Sequence, residues 1–138
     1  MKYMILSYGS QQDYDAMAGK DTGRPGWSGE AVAAMHQFME AFNKELEESG
    51  ELVETRGLAA PVHTRRVGSR GGEAFVTDGP YAETQEVLAG YWIVECESFD
   101  RATELAARLG QCPYPGDPAD TMYADIRPIV DSSADLGF

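Results

Sequence analysis

Asp78 stands at the entry to a tight turn, Asp78-Gly79-Pro80-Tyr81. A carboxylate placed there beside aromatic side chains can act as a general base when burial raises its pKa. The same residue also suits a structural role. Asp before Gly-Pro accepts backbone N–H bonds and fixes the turn, and Pro80 is well placed to open a helical turn. His63 is the candidate partner for Asp78, because a hairpin between them returns the chain toward its own start and an imidazole titrates near neutral pH. Arg127 can grip a carboxylate or phosphate with two parallel hydrogen bonds, or form an ion pair within the sheet with Asp125 or Glu95. Tyr8, Tyr81 and Trp92, with Tyr123, offer aromatic walls for a planar ligand, although aromatic residues in strands also serve cores and interfaces. His36 lies at the edge of an apolar helical stripe and reads as a packed or half-exposed residue rather than a catalyst.

Other chemistries are disfavoured by the same inventory. Two histidines without an H-x-x-x-H spacing, and two separated cysteines, Cys96 and Cys112, predict neither a zinc site nor a disulfide framework. Gly68, Gly71 and Gly72 are followed by no Walker lysine, so they predict a hairpin turn rather than a phosphate loop. No cofactor is expected. The 138 residues carry a net charge of −12, which opposes approach to a phosphate backbone and argues against direct nucleic-acid binding. Arg56, Arg65, Arg66 and Arg70 form a local exception, enough for a small anion or an acidic protein surface. They also read as charged edges that discourage aggregation. No apolar run approaches the roughly 18 residues of a membrane span. The apolar start stops at residues 7–10 without a cleavage pattern, so a cytoplasmic protein with no membrane partner is expected.

The elements that must position these residues follow from hydrophobic periodicity. Residues 2–8 predict a strand with Met4, Leu6 and Tyr8 on one face and Tyr3 and Ile5 on the other. Residues 9–29 are linker-like, with a short helix opened by Ser10-x-x-Asp13 and closed at Gly19, then a Gly- and Pro-rich loop over 20–27. A long helix runs from a Ser28 cap to Gly50, with Val32, Met35, Phe38, Met39, Phe42 and Leu46 in one stripe. Residues 51–56 predict a strand, and 62–67 with 73–77 a hairpin around a turn at 68–72. A short helical turn over 83–88 and a strand over 91–96 come next. A helix over 99–109 follows, capped by Ser98, with Ala102, Leu105, Ala106 and Leu109 facing inward. Three prolines make 112–118 a loop. Residues 122–130 predict the last strand, so 1–130 form the domain and 131–138 a polar tail.

This order predicts an α+β domain, a ferredoxin-like split β-α-β with an inserted β-hairpin and helices on one face of an antiparallel sheet. Tyr91 and Ile93 oppose Trp92 and Val94, so the second sheet face is apolar too. A second copy of the chain is the economical cover, and a homodimer is expected.

Lys2-Tyr3-Met4-Ile5-Leu6, Gly50-Glu51-Leu52-Val53, Val76-Thr77-Asp78-Gly79-Pro80-Tyr81-Ala82-Glu83-Thr84, Leu88-Ala89-Gly90-Tyr91-Trp92 and Asp125-Ile126-Arg127-Pro128-Ile129 together resemble the DGPF branch of the YCII-related family. Tyr81 stands where that branch usually has Phe, and the loops over 9–29 and 112–121 are individual to this chain. The resemblance implies a dimeric α-β barrel, two ferredoxin-like subunits packed sheet to sheet with a cleft near the interface. It also implies two function classes. Some relatives resemble small-molecule enzymes, including a dehydrochlorinase of hydroxylated aromatics, and a His-Asp pair is the suggested active site in the YCII branch. Other relatives accompany alternative sigma factors. The leading expectation is therefore a small-molecule enzyme or binding protein with Asp78 and His63 handling protons. The alternative is a non-catalytic accessory protein that binds a protein partner such as a sigma factor.

Overall fold

The computed structural model describes residues 1–23, 26–117 and 120–136. Parts of the two loop expectations, at 24–25 and 118–119, and the last two residues of the tail lie outside the described residues. In chain order the elements are β1 (Lys2–Gly9), α1 (Gln11–Met17), α2 (Gly29–Ser49), β2 (Leu52–Gly57), β3 (Arg65–Arg70), β4 (Glu73–Asp78), β5 (Val87–Glu95), α3 (Phe99–Leu109) and β6 (Ala124–Pro128). Short 3-10 turns occupy Pro61–His63 and Ser133–Leu136.

Four strands form one antiparallel sheet in the order β2-β5-β1-β6, while β3 and β4 pair only with each other. With the hairpin set aside, each β-α-β unit has another strand between its two strands, which is the ferredoxin-like arrangement. The helices begin where their caps dictate. Ser10 and Asp13 form a reciprocal capping box on α1, and the hydroxyls of Ser28 and Ser98 accept N–H bonds from Ala31 and Arg101 at the starts of α2 and α3. Gly50 ends α2 at φ 78°, a left-handed position that glycine takes without steric cost.

The core lies between the helices and one sheet face. Tyr3 and Ile5 from β1 and Trp92 and Val94 from β5 meet Phe42 and Leu46 of α2 and Ala102 and Leu105 of α3. Ile5, Val94 and Leu105 are completely buried, and each such aliphatic side chain contributes about 1.5–3 kcal/mol. Trp92 also ties sheet to helix through polar contact. Its Nε1 donates to Asn43 Oδ1 at 2.8 Å, and its ring meets Phe42 edge-on. At the far end Arg101 of α3 donates from Nε and Nη2 to both oxygens of Glu51, at 2.9 Å each.

Three boundaries differ from the sequence reading. The hairpin turn is the Gly71-Gly72 pair, both at positive φ, as a two-residue turn between twisted strands requires. Gly68 lies inside β3 instead, where a Cβ would collide with the Phe75 ring. The stretch expected to be helical over 83–88 keeps only a turn closed by Gln85 N–H to Ala82 O, because Val87 and Leu88 already pair with Gly9 and Tyr8 beyond a bulge at Ala89 of β5. The last strand is shorter than expected. Ala124 pairs with Ser7 just before that bulge, leaving Met122 and Tyr123 outside the ladder and exposed.

Candidate functional site

Side-chain alternation sends Met4, Leu6 and Tyr8 of β1 to the face opposite the helical core, which no helix covers among the described residues, together with Ile93 and Tyr91 of β5. Met4 lies opposite Ile93 and Leu6 opposite Tyr91, so an apolar strip runs across the two central strands. On β6 the same face carries Asp125 opposite Leu6 and Arg127 opposite Met4. Glu54 and Arg56 of β2 close the other side, and Glu54 accepts a hydrogen bond from the Tyr91 hydroxyl at 3.2 Å.

The polar end of this strip is a linked cluster. Tyr8 donates its hydroxyl to Asp125 Oδ2 at 2.6 Å, a short charge-assisted bond, and its ring lies 5.6 Å from that of Tyr123. Tyr123 in turn donates to Glu86 Oε2 at 3.1 Å. Both phenols are pushed above their ordinary pKa, Tyr8 chiefly by its bond to Asp125 and Tyr123 chiefly by its bond to Glu86. Each therefore stays a neutral O–H donor at physiological pH. Arg127 acts in the opposite direction on Tyr8, and among the described residues it forms no ion pair with Asp125 or Glu95. The side chains can thus stack on a planar ring, accept from a ligand hydroxyl or amine through Asp125, and meet an anionic group through Arg127.

The other sequence-predicted residues lie elsewhere. Trp92 belongs to the buried sheet face, across the sheet from Tyr8, so the two rings share no cleft. Asp78 sits directly opposite Arg65 at the root of the hairpin and accepts from its Nε at 2.7 Å. Both side chains are about two-thirds exposed, so this is a surface ion pair. His63 is the exposed last residue of the 3-10 turn just before β3, and among the described residues no hydrogen bond joins it to Asp78. Gly79 takes φ 58° and donates its N–H to Thr64 O at 2.8 Å, closing the hairpin root. Tyr81 lies under the Arg66 guanidinium, 5.4 Å from ring centre to charge. His36 is exposed on α2.

A groove of about 590 Å³ also runs between α2 and α3. Its charged lining is already paired, Arg101 with Glu51 and Arg108 with Glu45. Among the described residues no group of three or more His, Cys, Asp or Glu is placed to hold a metal, and no helix is long and apolar enough to cross a membrane.

The YCII-related domain model matches residues 1–120, from β1 through α3 and most of the segment that leads to β6. The chain belongs to this family. It is also similar to an uncharacterized protein of Rhizobium meliloti (strain 1021), 27% identical over 130 residues, covering 94% of this chain and 93% of that one. The family match reaches Tyr8, Asp78 and Trp92 but stops short of Tyr123, Asp125 and Arg127. Of the cluster on the open face, the sequence marks Tyr8, Tyr123 and Arg127, but it offers Asp125 only as one of two ion-pair partners for Arg127, beside Glu95. Glu86 went unnoticed, since nothing in its local context marks it.

Proposed function

We propose that the chain works as a homodimer whose open sheet faces meet, and that it holds a small planar molecule beside the Tyr8, Tyr123, Asp125 and Arg127 cluster. The observation that carries this reading is the 2.6 Å bond from Tyr8 to Asp125, made on the sheet face turned away from the helical core, which bears Met4, Leu6 and Ile93 and carries no covering helix among the described residues. A carboxylate fixed by a phenol and flanked by rings is suited to orient a hydroxylated or amino-substituted aromatic ligand. Asp125 would accept the ligand's proton or hydrogen bond, and Tyr8 would share the charge that results. Proton handling in this reading rests on Tyr8 and Asp125 rather than on Asp78 and His63, because Arg65 occupies the Asp78 carboxylate.

The experiment is a thermal-shift screen of phenols, anilines and aromatic acids, since a ligand that binds only the folded state must raise its stability. A hit should lose its effect in both Tyr8→Phe and Asp125→Asn while the unliganded melting point changes little. A ligand that stabilises all three proteins equally would remove the cluster from the site. The competing accessory-protein class has one feature in its favour, the exposed Arg65, Arg66 and Arg70 of the hairpin. A screen without a hit would move weight to it.

A further inference from the structure

The open sheet face carries its charges in an ordered pattern. Across the strand order β2-β5-β1-β6 the register lines up rows of side chains that point the same way. One row reads Glu54, Ile93, Met4, Arg127, and the next reads Arg56, Tyr91, Leu6, Asp125. A shorter row beyond the first holds Glu95 opposite Lys2, and one beyond the second holds Leu88 opposite Tyr8. Each charged row therefore has opposite signs at its two ends, and the two long rows are apolar between them. Little of this charge is used within the chain. Glu54 and Arg56 approach only to 3.7 Å with both side chains well exposed, and among the described residues no ion pair holds Lys2, Glu95 or Arg127.

A two-fold contact sets a face against a rotated copy of itself, so a face of one sign repels its copy, while a neutral face with unlike ends attracts it. Two axes in the plane of contact are available. A two-fold parallel to the strands reverses every row. It sets Glu54 over the partner's Arg127, Arg56 over the partner's Asp125 and Lys2 over the partner's Glu95, while Met4 meets the partner's Ile93 and Leu6 the partner's Tyr91. A two-fold perpendicular to the strands exchanges the rows instead. It too opposes unlike charges in the long rows, but it lays Lys2 and Glu95 on the partner's Tyr8 and Leu88, where neither charge finds its opposite. Aligned sheets cross at about 30°, which displaces row ends lying roughly 7 Å from the axis by about 4 Å, within the reach of Arg and Glu side chains. We infer that the open face binds a second copy of this chain about a two-fold axis parallel to the strands, so that the partner's Arg56 completes the ligand site at Asp125. This rests on the homodimer reading above and adds to it the register and a residue that each subunit lends the other.

The test mixes two charge-reversed full-length chains, Arg127→Glu and Glu54→Arg. Each alone sets like charges together at both ends of its row and should raise the dimer dissociation constant about tenfold or more in sedimentation equilibrium. An equimolar mixture should return to a constant near that of the parent, because in the mixed dimer both row ends again oppose unlike charges. Lys2→Glu mixed with Glu95→Lys repeats the test one row away, and keeps it decisive if either first variant loses its far-UV signal. Variants that weaken the dimer singly and are not rescued by mixing overturn the axis and leave the homodimer standing, since the perpendicular axis opposes like charges in the mixture as well. Variants that dimerise as tightly as the parent overturn the register. A parent chain that sediments only at 15.1 kDa overturns both the register and the homodimer.

Discussion

Trp92→Phe separates a structural tryptophan from a ligand wall, and its cost can be worked from the contacts. The substitution removes the Nε1 donor to Asn43 Oδ1, a 2.8 Å bond between neutral groups that contributes about 1 kcal/mol. It also removes part of an indole that is only 7% exposed and packs edge-on against Phe42, leaving a partial void worth about 1–3 kcal/mol. The expected loss is about 2–4 kcal/mol in total. The hydrogen bond can be isolated with a double-mutant cycle. In an Asn43→Ala background the bond is already gone, so Trp92→Phe should cost less there by about 0.5–1.5 kcal/mol. Urea unfolding followed by far-UV circular dichroism is the assay, because Trp27 confuses fluorescence. A coupling energy below about 0.3 kcal/mol, or a Trp92→Phe protein as stable as the parent, would refute the assignment of Trp92 to the α2–sheet contact.

Three further outcomes follow from the geometry. Glu51 is held below its ordinary 4.5 by hydrogen bonds from Arg101, so its contribution is present above that pH and lost as pH falls through the lower folded value. Glu51→Gln should therefore flatten the acid limb of the stability–pH curve, and an unchanged limb contradicts the pairing. Gly90→Ala places a Cβ 3.0 Å from Arg56 O in the adjacent strand and should cost about 1–3 kcal/mol, read by thermal melting. Ile93→Lys puts a charge in the open apolar strip, where a single chain leaves it room to reach water. It should leave the monomer folded and abolish self-association in size-exclusion chromatography, and a surviving dimer shows that the strip is not the contact.

Much of this fold was legible because its signals are local. The stripe from Val32 to Leu46, the Ser28 and Ser98 caps and the stops at Gly50 and Gly110 mark helices by spacing alone. Alternation in residues 2–8 and 91–96 also reveals which residues share a face, so the open face was foreseeable. Contacts between distant strands were not. Tyr8 and Asp125 are 117 residues apart, and their pairing depends on the register of β6 against β1. Local sequence cannot supply that register. Parity within β5 separated Trp92 from Tyr91, but only the register against β1 shows that Trp92 and Tyr8 lie on opposite sides. Gly68 was misread as turn because glycine in a strand looks like a break, whereas here it makes room for the Phe75 ring. Arg65 was overlooked as the partner of Asp78 because the placement of the turn, and with it the cross-strand register, was off.

Sedimentation equilibrium of the unmodified chain at micromolar concentration tests the central claim most directly. A sheet face carrying Met4, Leu6, Tyr91 and Ile93 without a covering helix among the described residues predicts a species of twice 15.1 kDa. A single species at 15.1 kDa would contradict the homodimer and the interfacial cleft with it.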